Sequence, residues 1–318
     1  MDGEGLLMGT GIEWTQETWN PVTGCTKVSQ GCKGCYAEGV ADRFWPTQYP
    51  PNPDGSPRRF TDVRCHPERL DQPLRWRKPR MVFVNSMSDL FHEDVPDAFI
   101  EECFRVMWQA KQHTYQVLTK RPARMRDFVL RDLSREQEAI DAGIYPGNAQ
   151  PWNPPPNVWL GVSVEDQATA DERIPILLDT PAAVRFVSYE PALGPVDFGN
   201  IKAGIAMVDA LAGFASWPDG QLSAPEKIDW LIVGGESGPG ARPFDLAWAR
   251  DTIRQCREAG VACFVKQLGR DPFRRVVTQF GMSESSLELR DRKGGSMEEW
   301  PADLRVREFP DARDEVTP

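Results

Sequence analysis

Trp19-Asn20-Pro21-Val22-Thr23-Gly24-Cys25-Thr26-Lys27-Val28-Ser29-Gln30-Gly31-Cys32-Lys33-Gly34-Cys35-Tyr36 sets three thiols in a C-x6-C-x2-C spacing, each directly preceded by glycine. Glycine lets a backbone turn tightly around a bulky core. Thiolates are the ligands of iron–sulfur clusters, and three of them leave one iron of a four-iron cluster open to an outside molecule. Structural zinc instead closes a tetrahedron of four ligands. The nearest candidates for a fourth are Cys65 and His66, some thirty residues further on. The spacing therefore predicts a [4Fe–4S] cluster on Cys25, Cys32 and Cys35, with a zinc site closed by Cys65 or His66 as the alternative.

The surrounding composition is that of a soluble globular chain. Its 318 residues are 40% hydrophobic and 26% charged, enough for one large core. No apolar run approaches the ~18 residues of a membrane helix. The first ten residues lack the charged flank and apolar stretch of a signal peptide, so a cytoplasmic location is expected. A net charge of −10 argues against a chain coated all over with nucleic-acid contacts. Between Pro57 and Arg80, however, eight basic residues face three acidic ones, either a solvated loop or a local face for phosphates. The other cysteines, Cys65, Cys103, Cys256 and Cys263, are dispersed, and Cys103 and Cys263 suit core packing.

Outward from the cysteines, short apolar runs alternate with helical patterns. Strands are expected at Met81–Asn85, Thr114–Thr119, Asn157–Glu165, Val184–Glu190, Asp229–Glu236 and Ala262–Gln267, with a weaker first one at Gly11–Thr15. Apolar residues at a 3.6 period predict a helix over Asp97–Lys111, and helices are also expected over Lys33–Arg43, Gln167–Leu178 and Asp245–Ala259. Alternating strands and helices imply a mainly parallel sheet, and about seven units favour a partial (β/α) barrel over an open doubly wound sheet. Residues 1–275 form that barrel in this reading, with insertions near 131–156 (polar, then proline-rich) and 200–226. Residues 276–318 form a C-terminal extension that packs back on it before fraying. Each apolar run ends in a polar residue: Asn85; Thr119 with Lys120; Ser163 with Glu165; Ser188 with Glu190; Glu236; Lys266 with Gln267. In a parallel barrel these ends share the rim where chemistry is placed. Glu190, Glu236 and Lys266 are accordingly candidates for substrate contact. His92, before a helix, is either a proton-transfer group or a helix-start histidine.

The cysteine loop, with Tyr36 directly after the third cysteine, resembles that of radical S-adenosylmethionine (SAM) enzymes, with six residues in the first gap where three are usual. The wider chain is similar to a phage-associated, radical-SAM-like family of three-cysteine proteins. The likeness runs through Trp19–Glu38, His66–Pro96, Leu118–Pro122, Trp159–Glu165, Ser188–Pro191, Val233–Pro243 and Trp300–Pro310. A fainter likeness is to the spore photoproduct lyase branch. The resemblance implies a partial barrel of the radical SAM type that binds a [4Fe–4S] cluster and cleaves SAM to a 5′-deoxyadenosyl radical. It places Tyr36 beside the cofactor and the SAM amino group at Asn85, Ser86, Met87 and Asp89. Lys120 or Arg121 would meet the SAM carboxylate, Ser163 and Glu165 the ribose, and Gly234 and Gly235 adenine or substrate. It also implies an external one-electron donor such as flavodoxin or ferredoxin. The basic run suggests a nucleotide or nucleic-acid substrate. The competing expectation is a non-catalytic zinc- or iron–sulfur-stabilised protein that binds a partner or senses redox state.

Overall fold

The computed structural model describes residues 10–141, 155–278 and 281–311. Seven strands form the main sheet: β1 (Glu17–Trp19), β2 (Met81–Val84), β3 (Thr114–Thr119), β4 (Val158–Val164), β5 (Val184–Tyr189), β6 (Trp230–Gly234) and β7 (Ala262–Gln267). Their order in the sheet is their order in the chain. The pairs β1–β2, β2–β3, β5–β6 and β6–β7 are parallel. A doubly wound sheet reverses its strand order at a switch point, and this one does not, so the fold is α/β with the strand sequence of a partial β/α barrel. β4, β5 and β6 are buried at every position, as strands covered on both faces must be. The first strand is Glu17–Trp19 rather than Gly11–Thr15. The apolar partner there is Trp19, fully buried, whose indole donates to the Arg69 carbonyl at 2.8 Å.

The chain divides into two compact units, one holding residues 1–28, 35–161 and 180–183, the other 29–34, 162–179 and 184–318. The first contains α1 (Tyr36–Gln48), α2 (Asp97–Gln109) and α3 (Pro122–Asp141). α1 begins at Tyr36 and not Lys33, because Cys35 adopts an extended N-cap conformation. Ala37, Ala41 and Trp45 then recur four residues apart on its buried face and pack with Phe60. α3 occupies the start of the segment expected as a polar insertion; most of the proline-rich remainder, 142–154, lies outside the described residues.

The second unit contains α4 (Gln167–Leu178) and α5 (Leu246–Ala259). α4 is fixed by a capping box between Asp166 and Thr169, and α5 ends at Gly260 in the left-handed region. The segment expected as a loop over 200–226 is a four-stranded antiparallel sheet of Ile201–Ala203, Ala206–Asp209, Phe214–Ser216 and Leu222–Ser223. Strands this short carry no readable alternation. The tail packs within this unit: Trp300 and Leu304 are buried, and the Val265 and Glu308 amides donate to Val306 and Cys263 carbonyls. The expected fraying falls largely on 312–318, outside the described residues. Among the described residues no helix is long and apolar enough to cross a membrane.

Candidate functional site

The first unit holds Cys25 and Cys35. Both are half-buried and pack, with Tyr49 and Met87, against the apolar cluster of α1 and Phe60. Cys35 sits at the N-cap of α1, where the helix dipole favours negative charge on sulfur. Cys25 Sγ accepts an N–H from Arg121 Nη1 at 3.6 Å. The same guanidinium donates to Asp89 Oδ2 (3.3 Å), Glu93 Oε2 (2.8 Å) and Thr26 Oγ1 (2.9 Å). Burial alone would lower its pKa, but Asp89, the Cys25 sulfur and Glu93 raise it overall, so Arg121 stays charged. Its contact stabilises a Cys25 thiolate.

Two threonines flank Cys25, and each is gripped by a histidine and an arginine. Asp94 donates its N–H to His92 Nδ1 at 3.1 Å, which leaves the proton on Nε2, 2.8 Å from Thr26 Oγ1. Thr26 in turn donates to Glu93 Oε1 at 3.3 Å. The Glu93 carboxyl, bonded to its own backbone N–H and to Arg121, is held down at about 2. On the other flank Thr23 Oγ1 is 2.7 Å from His66 Nε2, with His66 Nδ1 3.0 Å from Glu68. Arg58 Nη2 donates to Thr23 Oγ1 at 2.5 Å. His92 is fully buried and acts here as a strut to Thr26.

The end of β2 supports the same loop. Asn85, at φ 62°, accepts the Val22 N–H on Oδ1 at 3.1 Å. Ser88 Oγ donates to the Val22 carbonyl at 2.9 Å, and the Met87 carbonyl accepts the Gly24 N–H at 3.0 Å. Ser86 Oγ and the Met87 N–H reach Asn20 Oδ1. Both Asp89 oxygens are engaged, with Phe91 N–H and Thr119 Oγ1 on one and Lys120 N–H and Arg121 on the other. Asn85 Nδ2 is buried without a hydrogen-bond partner among the described residues. Tyr36 opens α1 and is 69% exposed.

In the second unit the Ser29–Gly34 turn around Cys32 rests on two carboxylates. Glu165, fully buried, accepts the Ser29 hydroxyl at 2.8 Å and pairs with Arg173 at 3.2 Å. Ser29 Oγ lies 3.8 Å from Cys32 Sγ. Glu236 is held in a two-pronged bond by Arg242 (2.9 and 2.7 Å), whose Nη1 donates to the Gln30 carbonyl at 2.9 Å. A Cβ at Gly31 would stand 2.4 Å from Glu165 Oε1, and one at Gly34 2.1 Å from Glu236 Oε1. These glycines therefore admit the carboxylates. Ser163 is buried, and its carbonyl accepts from Arg173 at 2.7 Å. Glu190 pairs with Lys266 at 2.7 Å and also accepts from Gln267. Gly235 follows β6 with its carbonyl on Gln267 Nε2 at 2.9 Å, and Gly234 ends that strand.

A family model described as "Protein of unknown function (DUF5131)" matches residues 9–296. The chain belongs to the DUF5131 family. No curated protein and no solved structure matches it.

Several residues around the cysteines of this DUF5131 chain escaped sequence reasoning. Thr26, Ser29, Arg173 and Arg242 are not singled out by the sequence; Thr26, Ser29 and Arg242 act on residues distant in the chain, up to 212 positions for Arg242 and Gln30, while Arg173 acts on Glu165 eight positions before it. The basic run is also not an open cationic face throughout. Arg58 is buried, Arg64 donates to Asn52, Arg69 reaches Tyr49, and Arg75 and Arg80 pair with Asp71 and Glu17.

The donor chemistry suits an iron–sulfur group: soft thiols, half-buried, with positive charge at Cys25 and a helix N-terminus at Cys35. Among the described residues no three His, Cys, Asp or Glu side chains lie close enough to hold a single metal ion. Cys65 lies in a strand pair opposite Val22, where burial raises its thiol pKa.

Proposed function

We propose that this protein is a radical SAM enzyme whose Cys25, Cys32 and Cys35 hold a [4Fe–4S] cluster. The observation that carries the reading is the treatment of Cys25, a sulfur in contact with a guanidinium and packed on the same apolar cluster as Cys35. A thiol with no ligand duty has no need of a charged donor that is itself anchored by two carboxylates. The sequential parallel sheet, with polar residues after its strands, supports the same assignment.

When bound, the cluster supplies the electron that splits SAM into methionine and a 5′-deoxyadenosyl radical. The chain's own groups do the rest. Arg121 holds charge at Cys25 Sγ and fixes Thr26. Thr23, Thr26 and the segment after β2 set the path of the loop. Asn85 holds one donor unused among the described residues, the buried Nδ2, which would suit a carboxylate oxygen of SAM. The Glu190–Lys266 pair, 16% and 15% exposed, offers both charges to a substrate, and a nucleotide or nucleic acid remains the class proposed.

Anaerobic reconstitution of the full chain with ferrous iron and sulfide tests this. A brown protein with broad absorbance near ~400 nm is expected from thiolate-bound clusters, lost in Cys32→Ala, together with dithionite-dependent release of 5′-deoxyadenosine from SAM. A colourless chain that leaves SAM intact refutes the assignment, and one tightly held zinc would favour the binding-module alternative.

A further inference from the structure

Arg58 is an anomaly among the charged groups of the first unit. Its residue is 3% exposed, yet no carboxylate bonds to it. Nη2 donates to Thr23 Oγ1, the Thr23 carbonyl and the Asp62 carbonyl. Nε and Nη1 are buried with no hydrogen-bond partner among the described residues. The guanidinium is stacked between two rings, 4.2 Å from the Trp45 centroid and 4.4 Å from that of Tyr49. Burial lowers its pKa first and Arg64 adds to this, while Tyr49 and the Asp62 carboxylate offset them only in part; a buried cation so poorly compensated is costly, and proteins rarely keep one. Arg121 makes the contrast, since Asp89 and Glu93 both pair with it.

The location explains the anomaly. Trp45 belongs to the apolar cluster on which Cys25, Cys35 and Tyr49 pack. Thr23, which Arg58 grips through hydroxyl and carbonyl, stands two residues before Cys25. We infer that Arg58 is a positioning residue whose charge is balanced chiefly by the anionic cluster at the cysteine loop, and that it favours the reduced form of that cluster. Three thiolates make such a cluster a net anion, and reduction adds one electron and deepens the charge. The electron comes from an external one-electron donor, and no bond forms or breaks at Arg58. A buried guanidinium lowers the energy of the more negative state, so it raises the midpoint potential. Aromatic faces on both sides hold the cation without neutralising it. This inference rests on the cluster assignment above.

The test is a potentiometric titration of the reconstituted full-length chain, wild type against Arg58→Met and Arg58→Lys, with thermal melting of each chain before iron is added. In Arg58→Met the midpoint potential falls, with the reduction equilibrium weakened about tenfold (~59 mV for one electron), and Arg58→Lys recovers most of it. Before iron is added, Arg58→Met melts no lower than wild type, because the poorly compensated charge is gone and the methionine side chain fills the guanidinium's place between the rings. A wild type that binds no iron breaks the cluster assignment itself. A wild type that loads normally, with the potential unmoved in Arg58→Met, overturns this inference alone. An iron-free Arg58→Met chain that melts well below wild type also overturns it, since the guanidinium would then be held for packing.

Discussion

Cys25 and Cys32 lie seven residues apart in one loop, yet their surroundings are opposite in kind. Around Cys25 the charge that reaches sulfur is a cation: Arg121, itself paired with Asp89 and Glu93, touches the sulfur, and Arg58 grips the threonine two residues before it. Around Cys32 the turn rests on two carboxylates, Glu165 and Glu236, each neutralised by its own arginine. On the first side the charge reaches sulfur, where it alters chemistry. On the second it reaches a serine hydroxyl and, through Arg242, a backbone carbonyl, where it fixes shape. One half of the loop is electrostatically tuned and the other is mechanically seated.

The sharpest way to break that contrast is at the seat. Glu165→Ala leaves Arg173, whose side chain is 3% exposed, as a buried cation stripped of its carboxylate. Removing one partner of a buried pair costs about 3–5 kcal/mol, and urea denaturation should show a loss of that size. The double variant Glu165→Leu with Arg173→Met should recover most of it, because an apolar pair leaves no orphan charge. Glu236→Ala should cost less, since Arg242 is 30% exposed and can turn to water. Equal losses at the two carboxylates would show that burial does not set the strength of the seat.

The next effect concerns the Cys25 side. Gly24 has φ +97°, and a Cβ there would stand 2.7 Å from the Asp62 carbonyl oxygen and 2.9 Å from that of Phe60. Gly24→Ala thus meets backbone that has no rotamer to swing away, on top of ~1–3 kcal/mol for the backbone conformation itself. A destabilisation of that order is expected by the same measurement, with Cys25 displaced from Arg121 and iron uptake reduced. Unchanged stability and iron content would mean the loop tolerates another path.

What the sequence made legible followed physical range. Strands buried on both faces were located to within a residue or two, because apolar runs bounded by polar residues carry their own signal. Thr114–Thr119, Gln167–Leu178 and Ala262–Gln267 agree at both ends. The small sheet over 201–223 was not legible, since its pairing is set by neighbours and not by periodicity. At the site, cysteine spacing pointed to the loop, strand-end polarity singled out Glu165 and Glu236, and Asp89 and Arg121 came only with the family resemblance. Their partners could not be read. That Asn85 supports Val22, or that Gly31 makes way for a carboxylate and not for a metal core, depends on contacts 63 and 134 residues apart in the chain.

The smallest expected effect is a pH dependence that separates struts from proton carriers. All three histidines of the chain, His66, His92 and His113, have pKa values lowered first by burial. At His92 the cation of Arg121 adds to this, against Glu93, Asp94 and Asp89. A histidine depressed in the native state stays neutral there while the unfolded chain takes up its proton near pH ~6.5. Stability is therefore full above that pH and falls as pH drops below it, by at most about 1.4 kcal/mol for each unit of depression. Protonation at His92 would also set an N–H against the Asp94 N–H that now donates to Nδ1. Denaturation midpoints at pH 7.5 and 5.5 should differ in the wild type and differ less in His92→Gln. If the two chains respond equally, His92 exchanges its proton freely in the native state, and a role in proton transfer regains its case over the strut.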